Sequence, residues 1–154
     1  LGGRKMDIRN VLDERVIDLN MTAENKKEAI WHLAQKLKDA GYIADVDAYV
    51  EDIYLRESQG QTGIGNYVAI PHGKSDSVTQ VGIAIGKVEK EIEWETLDGK
   101  GVKLIFLFAV GNDNENARTH LRLLAEVART LGNDEAVEAL LAAETVQDLK
   151  TVFS

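Results

Sequence analysis

The chain has no cysteine, one proline and only three histidines. Without cysteine there is no disulfide framework, no thiol nucleophile and no thiolate metal site. The longest uncharged apolar run, Leu104 to Val110, is seven residues. A bilayer-crossing helix needs about 20, and no secretory signal is visible at the N-terminus. A cytoplasmic protein without direct membrane insertion is therefore expected. Basic residues are also in the minority, 18 Lys and Arg against 26 Asp and Glu, for a net charge of −8. Nucleic-acid binding rests mostly on Lys and Arg meeting phosphates. The balance argues against nucleic acid or an anionic membrane as partner and suits a basic protein reached through electrostatic steering.

What is present fits one soluble domain. The 154 residues are 44% hydrophobic and 29% charged, enough to bury a real core. Leu1 to Lys5 are expected to be a remnant ahead of a starting Met6, and 6–154 a single domain. Met6 to Leu12 suggests a short helical turn, and Val16 to Leu19 a short strand. Thr22 is placed to cap a helix with Ile30, Leu33, Ala34 and Leu37 on one face, which Gly41 ends. His32 falls off that face and is assigned no role. Asp45 caps a second helix with Val46, Tyr49, Val50 and Ile53 inward. Val81 to Val88 alternates apolar residues with small ones, a strand pattern. Glu91 to Trp94 suggests an edge segment, and Val102 to Val110 a central strand buried on both faces. Asn116 is placed to cap a helix bearing Leu121, Leu124, Ala128 and Leu131, with His120 at the border of that stripe. Helices from Asp134 and Thr145 follow. This order predicts strands layered with helices.

The stretch that organises the rest is Thr62-Gly63-Ile64-Gly65-Asn66-Tyr67-Val68-Ala69-Ile70-Pro71-His72-Gly73-Lys74. Two glycines open it, and Val68 to Ile70 read as a buried strand. Pro71 fixes its own φ and holds Ile70 extended, so His72 is presented at a strand end on a stiff mount. Arg56 extends the inward stripe of the preceding helix near its end. It either caps the last carbonyls or reaches toward an anion.

Other chemistries lack their motifs. The histidines at 32, 72 and 120 include no His-x-x-x-His pair, which argues against zinc. There is no Gly-x-Ser-x-Gly elbow. Gly73-Lys74-Ser75 lacks the upstream glycine of a Walker loop, because position 68 is valine. Gly63 and Gly65 precede a strand and lack the third glycine of a dinucleotide fingerprint. Phosphoryl transfer to histidine remains. A neutral imidazole is nucleophilic near neutral pH, and the reaction asks mainly for donors around three charged oxygens. Arg56, His120, the Thr62 hydroxyl and backbone N–H groups of the glycine stretch are candidate donors. No metal or cofactor is required.

Arg56-Glu57, Thr62-Gly63-Ile64-Gly65, Val68-Ala69-Ile70-Pro71-His72-Gly73-Lys74 and His120-Leu121-x-Leu123-Leu124-x-x-Val127-Ala128 together resemble the fructose/mannitol-type enzyme IIA of the bacterial phosphoenolpyruvate-dependent sugar phosphotransferase system. The resemblance covers nearly the whole chain from Met6, and Pro-His-Gly-Lys-Ser-Asp points to the fructose branch. It implies a three-layer α/β/α sandwich around a mixed β-sheet. It also implies that His72 accepts a phosphoryl group from phospho-HPr and passes it to a cysteine of enzyme IIB. His120 would hydrogen-bond that group, Arg56 would offset its charge, and Thr62 would belong to the supporting loop. Tyr67 departs from the family pattern, where glycine is common. The alternatives are a nitrogen-type regulatory enzyme IIA, which uses the same histidine to control other proteins, and a non-enzymatic interaction module of the same fold, as in cytoplasmic domains of anion transporters.

Overall fold

The computed structural model describes Ile8 and residues 11–153, with the side chain of Asn116 outside that description. Leu1 to Lys5 and most of the turn expected near Met6 also lie outside it. A 3-10 turn at Glu14–Val16 leads into β1 (Ile17–Asp18). The chain continues through α1 (Lys26–Asp39), α2 (Val46–Gln59), β2 (Gly63–Gly65), β3 (Val68–Ala69), β4 (Gly82–Ile92) and β5 (Val102–Ala109). It ends with α3 (Asn114–Leu131), α4 (Asp134–Ala142) and α5 (Val146–Val152). The five strands lie in the order β1-β4-β5-β3-β2. β1 is parallel to β4 and β3 to β5, whereas β4 with β5 and β2 with β3 are antiparallel. The sheet is therefore mixed, and β5 is central, as its apolar run predicts.

Alternation along β5 builds two cores. Ile105, Leu107 and Ala109 face α1 and α2, while Leu104, Phe106 and Phe108 face the layer of α3 to α5. All six are fully buried, because successive strand side chains point to opposite faces and here both faces carry helices. α1 presents Ile30, Leu33, Ala34 and Leu37 at helical spacing, each 0% exposed. Burying a residue such as Leu or Ile is worth about 1.5–3 kcal/mol. The glycines that thin β4 make room on that side: a Cβ at Gly86 would lie 2.8 Å from Met21 and 3.2 Å from Leu33. The three-layer α/β/α sandwich is thus observed.

Some boundaries differ from the sequence reading. Asn25, not Thr22, caps α1, its side chain accepting from the Glu28 N–H. Thr22 lies outside the helix because the chain is still leaving the sheet, with Met21 N–H bonded to the Lys87 carbonyl at 2.9 Å. β4 runs on to Ile92 and absorbs the first half of the edge segment expected from Glu91 to Trp94, because Ile92 pairs with Val102 across an irregular stretch. α3 starts at Asn114, two residues ahead of Asn116. Asp45 and Thr145 cap α2 and α5 as expected.

The glycine stretch is a tight hairpin. Asn66 (φ 55°) and Tyr67 (φ 68°) both take left-handed backbone between β2 and β3, the geometry of a two-residue type I′ turn that favours Asn-Gly. Tyr67 occupies the glycine position, and its ring lies under the ammonium groups of Lys103 and Lys100 at 5.1 and 5.4 Å. Tyr67 therefore sits in the turn ahead of β3, whereas His72 follows the other end of that strand.

Candidate active site

His72 is mounted by backbone stitching along β5. Phe108 N–H donates to the Pro71 carbonyl and Ser75 N–H to the Val110 carbonyl, both at 3.0 Å. His72 and Gly73 lie between these two anchors. The proline costs the sheet nothing, because its carbonyl, not its missing N–H, faces the neighbouring strand. Tyr49 of α2 donates its hydroxyl to the Phe108 carbonyl at 2.6 Å, so the helix carrying Arg56 is pinned to the same point of β5.

The tautomer of His72 follows from its partner. Nδ1 lies 2.8 Å from the Ile70 carbonyl, which only accepts, so Nδ1 carries the hydrogen. In the neutral ring Nε2 is then left with its lone pair. Burial lowers the His72 pKa; the Ile70 hydrogen bond acts the other way, and the Arg56 charge adds to the lowering. The ring is therefore neutral and nucleophilic around pH 7.

His120 reaches the same place from α3. Its ring centroid is 5.4 Å from that of His72, with the planes tilted by 38°. Phe108 presses edge-on against both, at 5.4 Å from His120 and 6.4 Å from His72. His120 is 9% exposed, and its Nδ1 is buried without a hydrogen-bond partner among the described residues. Its pKa is lowered to about 4, by burial first and then by His72 and Lys74. A buried, neutral, underused imidazole beside a nucleophilic one suits an arriving anion.

Arg56 completes the set. It lines a cleft of about 370 Å³ with Asp52, Leu55, Gln59, Lys74 and both histidines. Its Nη1 donates to the Gly60 carbonyl at 3.0 Å, and it forms no ion pair among the described residues. Arg56 thus bonds a neutral carbonyl at the helix end and also lines the cleft. Gly73 allows this closeness, since a Cβ there would sit 3.0 Å from the Asp52 carbonyl and 3.4 Å from Arg56 Cβ.

The structure brings His72, His120 and Arg56 together but not Thr62. Thr62 is 3% exposed, and its hydroxyl donates to Glu57 Oε1 instead of facing the cleft. The backbone of Gly63 to Gly65 is likewise an edge strand, not an anion cradle. The donor roles considered for the hydroxyl and for these amides are corrected accordingly. Sequence reasoning also missed Asp52, Leu55 and Gln59. They share the spacing 52, 55, 56, 59 with Arg56, one face of a helix, and that stripe is the signal that marks them. Lys74, on the His72 loop, lines the cleft as well. His32 pairs instead with Asp18 at 2.8 Å, at the edge of the sheet.

Comparison with known proteins gives the family of the chain. Residues 10–154 match the family model described as "Phosphoenolpyruvate-dependent sugar phosphotransferase system, EIIA 2". The chain is 37% identical over 140 residues to the "PTS system fructose-specific EIIABC component" of Bacillus subtilis, covering 91% of this chain and 22% of that protein. It thus spans about a fifth of that multidomain relative. It is 33% identical to the mannitol-specific phosphotransferase enzyme IIA component of the same organism, covering 94% of this chain and 96% of that one. Among solved structures, the nitrogen regulatory protein IIA-Ntr of Neisseria meningitidis matches with a TM-score of 0.84 and 28% identity, over 96% of this chain and 99% of the other. Among the described residues no helix is long and apolar enough to cross a membrane. The chain belongs to the EIIA 2 family of the phosphoenolpyruvate-dependent sugar phosphotransferase system.

Proposed function

We propose that the protein is a cytoplasmic phosphocarrier that accepts a phosphoryl group on His72 Nε2 from phospho-HPr and delivers it to a cysteine of an enzyme IIB. The observation that carries this reading is the lone pair on Nε2 of a neutral His72, set beside a buried imidazole and an arginine that, among the described residues, have no hydrogen-bond partner on Nδ1 and no carboxylate partner respectively. The Nε2 lone pair attacks phosphorus as the N–P bond of the donor's phosphohistidine breaks. His72 keeps its Nδ1 hydrogen on the Ile70 carbonyl, so the phosphoryl group sits on a ring bearing positive charge. Such a ring is a good leaving group when a thiolate attacks phosphorus from the next protein. Arg56 and His120 are placed to offset and hydrogen-bond the three oxygens. Leu55, which lines the cleft and is 61% exposed, gives an apolar contact for a docking protein.

Incubation with phosphoenolpyruvate, enzyme I and HPr should label wild type and leave His72→Ala unlabelled. Equal labelling of the two would refute the assignment. The fructose-specific relative favours a fructose pathway and the mannitol-specific one keeps mannitol open; a chase into fructose-type or mannitol-type enzyme IIB separates them. The similarity to a nitrogen regulatory protein supports a second reading, control of other proteins by phosphorylation state. A label that no enzyme IIB removes would favour that reading.

A further inference from the structure

Next to Arg56 in sequence is a carboxylate that the phosphoryl site does not use. Glu57 has a side chain only 5% exposed, on the last turn of α2. A carboxylate next to Arg56 in sequence, at the end of the helix, is a potential competitor for its guanidinium. Paired with Glu57, Arg56 would have its charge cancelled, and a free Glu57 would also repel an arriving phosphoryl dianion.

The fold keeps Glu57 occupied on its other side. Lys26, from the first turn of α1, places Nζ 2.9 Å from Glu57 Oε2 and 3.0 Å from Glu95 Oε1. Thr62 donates its hydroxyl to Glu57 Oε1. Both carboxylate oxygens are thus engaged, by groups from either side of α2 in sequence. Lys26 also lies 5.0 Å over the Trp94 ring, which fixes the ammonium further. Burial opposes the charge on Lys26, but the bonds to Glu57 and Glu95 outweigh it and its pKa is raised, so it stays a cation. Arg56 meanwhile bonds, among the described residues, the neutral Gly60 carbonyl. The charge of Glu57 is still felt at His72, raising its pKa against the lowering by burial and Arg56.

We infer that Lys26 and Thr62 form a clamp that withholds Glu57 from Arg56, and that Lys26, on a helix outside the cleft, is therefore a positioning residue for phosphoryl transfer. This rests on the reading of His72 as phosphoryl acceptor. It assigns Thr62 a definite part: it holds the competitor, not the phosphoryl group. It also explains why a buried ion pair sits here, since such pairs add little to stability by themselves.

The test is single-turnover labelling from phospho-HPr, together with NMR titration of His72, in the full chain. Lys26→Met frees Glu57 and should slow labelling about tenfold or more and raise the His72 pKa. Glu57→Gln should label at close to the wild-type rate. The double variant Lys26→Met/Glu57→Gln should recover to within about threefold of wild type and restore the His72 titration, a coupling that independent sites would not show. A Lys26→Met protein that labels at the wild-type rate overturns the inference, and so does a double variant as slow as the single one, because the cost is then packing and not the freed carboxylate. If Lys26→Met does not fold, Thr62→Val replaces it, with a smaller slowing expected and the same rescue by Glu57→Gln as the criterion. Wild type that takes no label would instead refute the phosphoryl-acceptor reading, while the titration arm still reports on the clamp.

Discussion

Replacing His120 with glutamine should flatten the acid sensitivity of the fold. In the folded chain the His120 pKa is lowered to about 4, chiefly by burial, with His72 and Lys74 adding. In the unfolded chain it returns to about 6.5. Between those values the unfolded state binds more protons than the folded one. Stability from this group is therefore complete above about pH 6.5 and is lost progressively as pH falls toward 4. Each pH unit inside the window is worth about 1.4 kcal/mol. Going from pH 7.5 to 4.5 crosses about two such units, a loss of about 2–3 kcal/mol. Glutamine keeps a polar side chain but does not titrate. Carboxylates held below their usual range, such as Asp13 at about 2 through its hydrogen bonds to Arg15, are common to both proteins and cancel in the comparison. Urea unfolding at the two pH values should show wild type losing about 2–3 kcal/mol more than His120→Gln. Equal losses would refute the claim that His120 is buried neutral and without a partner.

Arg56→Met should raise the His72 pKa in an NMR titration, because the guanidinium charge is one of the influences holding it down. The same change should slow labelling by about 100-fold, the scale of losing one charged donor to a transferring group; an unchanged rate would remove Arg56 from the site. Gly73→Ala places a Cβ 3.0 Å from the Asp52 carbonyl and should push α2 from His72, slowing labelling about tenfold while thermal unfolding shows a loss of only about 1 kcal/mol. Gly63→Ala has no such relation to the cleft: its Cβ would fall 2.5 Å from Thr96 Cγ2. It should destabilise by about 2–3 kcal/mol in urea, with the His72 titration unchanged.

How far the sequence reaches depends on whether a feature is local. The central strand and the first helix are legible because their periodicity is local: the run through β5 and the spacing of Ile30, Leu33 and Leu37 report burial directly. His72 was legible for the same reason, since Pro71 stiffens its own neighbourhood. The cap of α1 was misplaced because Thr22 and Asn25 carry equivalent side chains, and only the bond from Met21 to β4 decides which starts the helix. The hydroxyl of Thr62 is not legible as a donor to Glu57, because Glu57 is itself held by Lys26 from another helix. Nothing in a window around Thr62 reveals that. The stripe expected on α3 is off by about one position: Leu121 is 63% exposed, and the buried face runs through His120, Leu123, Val127 and Leu131, which sets His120 against Phe108.

The central claim concerns one atom, Nε2 of His72. Its most direct test is heteronuclear phosphorus and nitrogen NMR on the 15N-labelled protein after phosphorylation by phospho-HPr. A phosphoryl group coupled to Nε2 of His72, with Nδ1 still bearing its hydrogen, is the predicted result. Phosphorus on Nδ1, on His120 or on no histidine would contradict the account.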